Sequence, residues 1–383
     1  MAKSKVALVR CDTYDEEQVG RAVEKGMALI GGISQFVKPG EKIVLKPNVL
    51  IGSHPDKCVT THPSVFKAAG RLFRDAGASV YYGDSSCFRG SEWNMKRAHL
   101  KQAAEEIGIE RADFDNGKSV SHKEALLMKS FVVANGVLEA DGVVSMPKIK
   151  THGLTRYTGA IKNQFGCIPG MLKSELHVRL PDPYDFSTML VDLTTLVGPR
   201  LYIMDGIIGM EGNGPRGGNP RKLNVLLFSS DPVALDSVVC RIIDLDPEVV
   251  PTSKPGEESG LGTYHYDNIE VVGEDLEAFI ARDFDVVRRP PVSRKGGRVR
   301  GFIRDRMCPR PFIDREKCTN CGICVKMCPV EPKAVDWHSG DKSRTPTHKY
   351  GRCIRCYCCQ EMCPEGAVSV GNTLLGRIIF PLK

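Results

Sequence analysis

Cysteines are the residues of this sequence whose spacing most directly predicts a chemistry. Ten of the 15 cysteines lie between Cys308 and Cys363, and eight of these form two copies of the pattern C-x-x-C-x-x-C-x-x-x-C-P. The copies read CTNCGICVKMCP from residue 318 and CIRCYCCQEMCP from residue 353. The two-residue gaps favour a tight loop around a metal centre, and the proline after each fourth cysteine stops a helix there. The repeat therefore predicts a metal-binding segment with thiolate ligands.

This duplicated spacing is typical of two [4Fe–4S] clusters, where three cysteines of one copy and the fourth of the other bind the same cluster. The exchange predicts two ligand sets: Cys318, Cys321, Cys324 and Cys363 for the first cluster, and Cys353, Cys356, Cys359 and Cys328 for the second. Zinc is the alternative, because four thiolates also bind it, but the three-plus-one repeat favours iron and sulfide.

Residues 312–383, which we name the cysteine module, resemble the two-cluster bacterial ferredoxins. The resemblance implies a small α+β ferredoxin-like domain at the C-terminus, with pseudo-two-fold symmetry and a role in single-electron transfer. Two cysteines, Cys308 and Cys358, fall outside the repeat. Each is either a buried thiol, an alternate ligand or a group that contacts a docked substrate. Because exposed clusters are readily oxidised, we expect an anaerobic or low-oxygen setting.

Strand-like and helix-like segments alternate from the start of the chain to about residue 285. For example, the apolar run KIVLKPN (42–48) precedes HPSVFKAAGRLFRDAG (62–77), whose apolar residues recur at helical spacing. This alternation predicts an α/β domain over residues 1–285, with an open, mostly parallel, doubly wound sheet covered by helices on both faces.

Polar side chains collect where these strand-like runs end. In open parallel sheets the carboxyl ends of the strands line a crevice, and ligands bind there. The sequence therefore predicts one shared cleft with binding residues from several strand ends: Lys46, Asn48, Asp84, Lys148 and Asp205. Asp231 is a sixth such strand-end residue. The alternative is that some of these residues only cap helices or stabilise turns: Asp231, which precedes a proline, is the clearest case, and Asp84 could equally be a turn residue.

The stretch MPKIKTHGLTRYTGAIKN (146–163) is predicted to leave the end of a strand and to form a polar helix that begins near Leu154. It places several cations close together without nearby acids. Such a group favours a bound anion by Coulomb attraction in a partly dry cleft. We expect His152, Lys148 and Lys162 to be catalytic proton donors, and Lys150, Asn163 and His177 to bind the substrate. The alternative is an exposed basic loop with a surface histidine.

The glycine-rich stretch GMEGNGPRGG (209–218) is not a nucleotide-binding loop. It lacks the G-x-G-x-x-G pattern, and a strand rather than a helix is predicted to follow it. We find no Walker A sequence and no NAD or flavin motif. We expect a mobile flap over the cleft, with Glu211 and Arg216 as its polar contacts.

Residues 286–311 break the alternation, because adjacent prolines, glycines and many arginines predict an extended linker. This basic linker is either a solvated tether or a docking strip for an acidic redox partner protein or lipid head groups. The net charge of +7 is modest, and no nucleic-acid-binding motif accompanies it. No apolar run approaches the roughly 20 residues of a transmembrane segment, so we expect a cytoplasmic protein.

Short motifs of residues 1–285 are similar to those of the domain-of-unknown-function 362 family. The resemblance rests on KPN (46–48), THP (61–63), GDS (83–85), MPKIKTH (146–152), GAIKNQFG (159–166), DG (205–206), GNGPRGG (212–218) and SSDPVALD (229–236). Members of this family often carry a two-cluster ferredoxin segment at the C-terminus. The resemblance implies no activity, but it does imply that these motifs form one functional surface.

Three functions are compatible with these patterns. In the first, an oxidoreductase, the cysteine module relays single electrons to an anionic substrate or cofactor in the α/β cleft. In the second, a non-catalytic electron carrier or sensor, the α/β domain binds a partner or a metabolite. In the third, a metal or Fe–S maturation factor, Cys308, Cys358 and Cys87 transfer the metal. The sequence favours the first.

Overall fold

A ten-stranded mixed sheet organises the first part of the chain in the computed structural model, which describes residues 3–295 and 308–373. Twelve strands precede the cysteine module, and two of them, β5 and β6, pair as a separate hairpin. They are β1 (Ser4–Arg10), β2 (Lys42–Pro47), β3 (Ser79–Tyr82), β4 (Glu110–Arg111), β5 (Gly117–Ser121), β6 (Ser130–Ala134), β7 (Gly142–Met146), β8 (Lys148–His152), β9 (Arg156–Thr158), β10 (Leu201–Glu211), β11 (Asn219–Ser229) and β12 (Ile269–Gly273).

The strand order along the sheet is β12-β1-β11-β10-β7-β2-β3-β4, with β8 beside β10 and β9 beside β8. Pairing is parallel from β10 through β7, β2 and β3 to β4, and also between β12 and β1. It is antiparallel where β11 lies between β1 and β10, because the glycine-rich stretch joins β10 and β11 as a hairpin. The predicted α/β class with a mostly parallel sheet is confirmed.

Helices cover both faces of the sheet, as alternate residues of β1 show. Ala7 and Val9 pack with the helices of residues 16–29, 63–75 and 100–106 on one face, whereas Val6 and Leu8 pack with the helix of residues 232–242 on the other. The helices of this part are α1 (Glu16–Leu29), α2 (Pro63–Asp75), α3 (Ser91–Arg97), α4 (Leu100–Glu106), α5 (Asn135–Leu138), α6 (Ala160–Asn163), α7 (Leu172–Arg179), α8 (Pro183–Val197), α9 (Pro232–Ile242) and α10 (Ser253–Glu258). Successive side chains of a strand point to opposite faces of the sheet, and helices cover both faces, as predicted for a doubly wound sheet.

The basic stretch 146–163 differs from its predicted structure. We expected the chain to leave the sheet after β7 and to form a polar helix from Leu154. Instead, Pro147 only interrupts the strand, and β8 continues beside β10 before turning back as β9. Arg156 has a φ of 71° at the start of β9. Only the single turn of α6 is helical, and strand pairing keeps the basic side chains buried.

As far as Thr373, where the described residues end, the cysteine module has two small sheets and two one-turn α-helices. Its elements are β13 (Arg310–Ile313), α11 (Ile323–Lys326), β14 (Val335–Asp336), β15 (Thr347–His348), α12 (Cys358–Glu361) and β16 (Val368–Gly371). The two cysteine loops share their backbone conformation, since Asn320 and Arg355 have φ values of 55° and 56°, and Gly322 and Tyr357 of 69° and 63°. The sequence repeat is therefore also a structural repeat.

The start of the predicted linker is packed rather than solvated. Ser293 donates through Oγ to Asp182 Oδ2 (2.7 Å), and Arg288 donates to the Asp244 carbonyl (2.7 Å). The prediction of a loose tether is therefore wrong for residues 286–295, because their polar groups are bonded to the α/β part. Residues 296–307, which carry much of the linker's charge, lie outside the described residues. Within the ranges that are described, no helix has the length and apolar composition to cross a membrane.

Candidate functional site

A cleft of about 720 Å³, partly open to solvent, lies where the α/β part meets the cysteine module. The strand ends of β2, β3 and β8, together with α6 and α7, form one wall. Met327, Cys358, Glu361 and Met362 of the module form the other. Seven of the predicted site residues line this cleft: Lys46, Asn48, Asp84, Lys150, Lys162, Asn163 and His177.

Lys46 and Asp84 form a fully buried ion pair in the floor of the cleft. Lys46 Nζ lies 2.7 Å from Asp84 Oδ1 and also donates to the Asn163 side-chain oxygen at 3.1 Å. Asp84 Oδ2 accepts the backbone N–H of Val49 at 2.9 Å. Each charge has a partner and further hydrogen bonds, so this pair holds the strand ends together and carries little net charge.

Three further lysines line the cleft, and among the described residues none of their ammonium groups forms an ion pair: Lys150, Lys162 and Lys173. Lys150 Nζ donates to Asn48 Oδ1 and to the Val59 carbonyl, both at 2.6 Å. Burial, followed by the charges of Lys162 and Lys148, lowers the pKa of Lys150 well below its usual value. A bound anion would reverse this shift, because it favours the charged ammonium.

His177 of α7 lies against the aromatic side of the cleft. Its ring stacks on Phe186 with centroids 4.4 Å apart and meets Phe165 edge-on at 5.7 Å. Its Nδ1 atom is buried and has no hydrogen-bond partner among the described residues. Burial lowers the pKa of His177 to about 4, so the ring is neutral near pH 7. An unpaired buried ring nitrogen is a group that a ligand can satisfy.

His152 does not line the cleft. Its Nδ1 accepts the N–H groups of Leu154 and Thr155 at 3.0 and 3.3 Å, so the proton of the neutral ring sits on Nε2. Nε2 lies 2.9 Å from Glu361 Oε1 of the module, and burial lowers the pKa of His152 to about 4. Nδ1 is thus hydrogen-bonded, Nε2 lies beside the Glu361 carboxylate without a well-aligned hydrogen bond, and the ring lies between the two parts of the protein.

Lys148 and Asp205 also lie outside the cleft wall. Lys148 Nζ is 2.8 Å from Asp205 Oδ2 and 2.6 Å from the Tyr14 hydroxyl, which itself donates to Asp205 Oδ1 at 2.9 Å. Both charged groups are buried. They form a closed triad with Tyr14 that stabilises the sheet beside the cleft.

The glycine-rich loop binds the cysteine module instead of moving over the cleft. Arg216 Nη1 donates to the Met362 carbonyl at 2.6 Å, and Asn213 receives a hydrogen bond of 2.6 Å from Gln360. Glu211 accepts the backbone N–H of Asp285 at 3.1 Å. Pro215 of this loop does line the cleft, as expected of a loop beside it, but hydrogen bonds to the module hold the loop, so it is not a free flap. Neither Glu211 nor Arg216 lines the cleft.

The cysteine side chains fit the predicted cluster ligands. Cys318, Cys321, Cys324 and Cys363 line one cavity of about 340 Å³. In the other set, Cys359 interacts electrostatically with Cys356, Cys353 and Cys328, and also with Cys324 of the first set. Within the described residues no three His, Cys, Asp or Glu side chains gather closely enough to hold a single metal ion. A cluster places its ligands on separate irons, so it does not require that approach.

The three cysteines that the maturation-factor hypothesis names have different positions. Cys358 of α12 and Cys87 both line the cleft, one from each part of the protein. Cys308 lies elsewhere, in a small cavity with Leu154 and Tyr357.

Sequence reasoning missed Lys173 and Glu361 as cleft residues. For Lys173 the available signal was its spacing of four residues from His177 on one helix. Glu361 gave no signal, because it lies among the cluster ligands.

Two family models match the chain. The model described as Domain of unknown function (DUF362) matches residues 43–241, and the model described as 4Fe-4S dicluster domain matches residues 317–367. Among solved structures, the lactate racemase apoprotein of Thermoanaerobacterium thermosaccharolyticum superposes with a TM-score of 0.41 at 13% identity, over 61% of this chain and 56% of that chain.

Two curated relatives differ in how much of the chain they cover. A thylakoid-associated protein of Synechocystis sp. is 35% identical over 265 residues, which are 68% of this chain and 81% of that protein. The NAD(P)H-quinone oxidoreductase subunit I of Gloeobacter violaceus is 29% identical over 92 residues, 23% of this chain and 44% of that subunit. The chain thus belongs to the family described as Domain of unknown function (DUF362), and its C-terminal segment is an iron–sulfur ferredoxin-type domain of the kind that transfers electrons.

Proposed function

We propose that this protein is an iron–sulfur oxidoreductase whose cysteine module relays single electrons to an anionic substrate or cofactor in the cleft. The observation that supports it is the shared wall: Lys150 and His177 face the same space as Cys358 and Glu361. Two bound [4Fe–4S] clusters, held by the eight predicted cysteines, would supply one-electron reduction. A tethered module beside the cleft has a high effective concentration there.

The residues of the α/β part bind and protonate the ligand. Four lysines and two carboxylates line the cleft, so an anion is favoured even after Lys46 and Asp84 are counted as a pair. A bound anion raises the pKa of Lys150, so the amine takes up a proton from solvent. Lys150 and Lys162 can then each donate a proton to the reduced ligand. His177 orients the ligand through its free ring nitrogen. Lys148 and His152 position β8 and the module.

Anaerobic purification followed by mass spectrometry of the released small molecules tests this function. We expect an anion to copurify with the wild type and with the control Lys118→Met, and to be lost from Lys150→Met at unchanged iron and sulfide content. Adding that anion back to dithionite-reduced protein should reoxidise the clusters, as seen by EPR. Equal retention by both variants, or clusters that stay reduced, would contradict the proposal.

A second function has one observation in its favour, which is that the thiols of Cys87 and Cys358 line the same cleft. A factor that handles a metal or an Fe–S cluster could use such a pair for transfer. Cys87→Ala separates the two functions. It leaves anion binding intact if the protein is an oxidoreductase, and it abolishes metal capture from Fe²⁺ or Zn²⁺ solution if the protein is a maturation factor.

A further inference from the structure

A basic and aromatic surface crosses the boundary between the α/β part and the cysteine module. Exposed Arg89 and Arg97 place their guanidinium carbons 4.7 and 5.6 Å from the ring centre of Trp93. Lys326 of the module places its ammonium 5.1 Å from the ring centre of Phe88. We name this surface the seam patch; it consists of Arg89, Lys96, Arg97 and Lys326 around Phe88 and Trp93.

The seam patch is concave and keeps its positive charge. Trp93, Lys96 and Arg97 form a surface cleft of about 670 Å³ with His54 and His99. Of the nearby acids, Glu92 pairs with Lys101 at 2.5 Å, and Asp56 lies 3.1 Å from His54, which balances it only when protonated. Glu365 lines the same cavity as Cys321. The four cations of the patch outnumber these acids, so the patch presents a net positive field to solution.

The seam patch also adjoins the predicted ligands of the first cluster. All 15 cysteines lie in the described ranges, and Cys321 alone is exposed. Packing connects the two features, because Phe88 and Trp93 lie against the same apolar cluster as Ile323, which follows Cys321 by two positions. The place where an electron can enter the module most directly is thus bordered by cations.

We propose that the seam patch docks a small acidic protein that carries single electrons and delivers them beside Cys321. The later use of the electron in the cleft rests on the proposed function, whereas the docking itself does not. A carrier must bind briefly and often, and complementary charge raises association rates about 10- to 1,000-fold. The aromatic rings beneath the cations supply an apolar centre for the contact. One electron leaves the carrier and enters the module, while no bond forms or breaks.

Binding of an oxidised, acidic plant-type [2Fe–2S] ferredoxin to the anaerobic full-length protein tests the docking. The variant is Lys96→Glu with Arg97→Glu, and the matched control is Lys118→Glu with Lys123→Glu, which changes the net charge equally at exposed positions outside the patch. We expect the patch variant to weaken binding at low salt by about tenfold or more, and the control to leave it unchanged. Circular dichroism and iron content verify that both variants are folded.

A second measurement follows cluster reduction in the absence of any cleft ligand. The rate with the reduced ferredoxin should fall in the patch variant by the same factor as the affinity, whereas the rate with dithionite should not change. Equal weakening by both double variants would show attraction to net charge alone and would overturn the proposal, as would unchanged binding in both. Because no substrate is present, these results are independent of whether the cleft binds an anion.

Discussion

Lys148 and Lys150 lie two positions apart on β8, but only Lys148 has a negatively charged partner. Lys148 is 2.8 Å from the buried Asp205 carboxylate, whereas Lys150 bonds to neutral oxygens. Lys148→Met leaves Asp205 without its cation, which should lower the free energy of unfolding by about 3 kcal/mol. Lys150→Met removes a charge that burial disfavours, so the free energy of unfolding should stay equal or rise. Anaerobic chemical denaturation measures both.

The same difference predicts a pH dependence. Burial lowers the pKa of Lys150 in the folded protein, so the unfolded chain binds more protons between that lowered value and the usual 10.5. The contribution of Lys150 to the free energy of unfolding therefore rises with pH through that range, because the unfolded state holds the extra proton. The Lys150→Met variant should lose this slope. Equal destabilisation by both methionine substitutions would show that Lys150 has a partner as strong as Asp205.

Adjacent cysteines of α12 offer a matched test of the ligand assignment. Cys359 is a predicted ligand of the second cluster, whereas Cys358 lies outside the repeat and lines the cleft. Cys358→Ser should keep the iron and sulfide content of the wild type, and Cys359→Ser should lose about half of it together with one EPR signal. Loss of iron in Cys358→Ser instead would make Cys358 a ligand and reverse the assignment.

The sequence predicted the polar residues near the site more accurately than it predicted which of them line the cleft together. Strand ends led to Lys46, Asn48 and Asp84, because the carboxyl ends of parallel strands meet along one edge of a sheet. The cleft, however, is closed by a second folded part, and no strand pattern predicts which face of that part docks. Glu361 and Met362 were therefore missed, and His152 was predicted to be in the cleft instead of beside it.

At the scale of elements, the turn between β10 and β11 joins the two parts through close backbone contact. A Cβ atom added at Gly217 would lie 2.8 Å from Gly366 Cα, which is closer than side chains approach backbone. Gly217→Ala should therefore displace the loop, break its hydrogen bonds to the module and accelerate hydrogen exchange in residues 212–218. Gly20→Ala is the control, since its Cβ would meet nothing within 4 Å, and it should stabilise α1 by about 1 kcal/mol. Unchanged exchange in Gly217→Ala would mean that the contact is not needed.

Element prediction succeeded where periodicity was strong and failed where strands were short. The apolar residues of α2 and α8 recur over three to four turns, and both helices begin at a proline after a capping residue, His62 and Asp182. By contrast, β8 and β9 have only five and three residues. Their sequence carries no alternation, because both faces are buried, and pairing with the distant β10 decides their conformation.

For the molecule as a whole, the two parts differ in what makes up their cores. The α/β part buries large apolar side chains on both faces of its sheet, for example Phe66 and Phe73 on one face and Tyr202 and Phe284 on the other. The core of the cysteine module instead consists largely of predicted cluster ligands, Cys324, Cys328, Cys359 and Cys363, with a few small apolar residues. A segment of this size rarely folds on apolar burial alone and usually needs a metal or disulfides.

Removal of iron should therefore unfold the two parts separately. After treatment with ferricyanide and EDTA, hydrogen exchange should become fast throughout residues 312–373, because the clusters that order the two loops are gone. Strands β1, β2 and β10 should keep their protection, since their apolar neighbours lie within the α/β part. Exchange should also rise in residues 212–218, whose hydrogen bonds are made to the module. Protection that persists in the module would show that its own contacts suffice, and loss of protection in β1 and β2 would show that the sheet depends on the module.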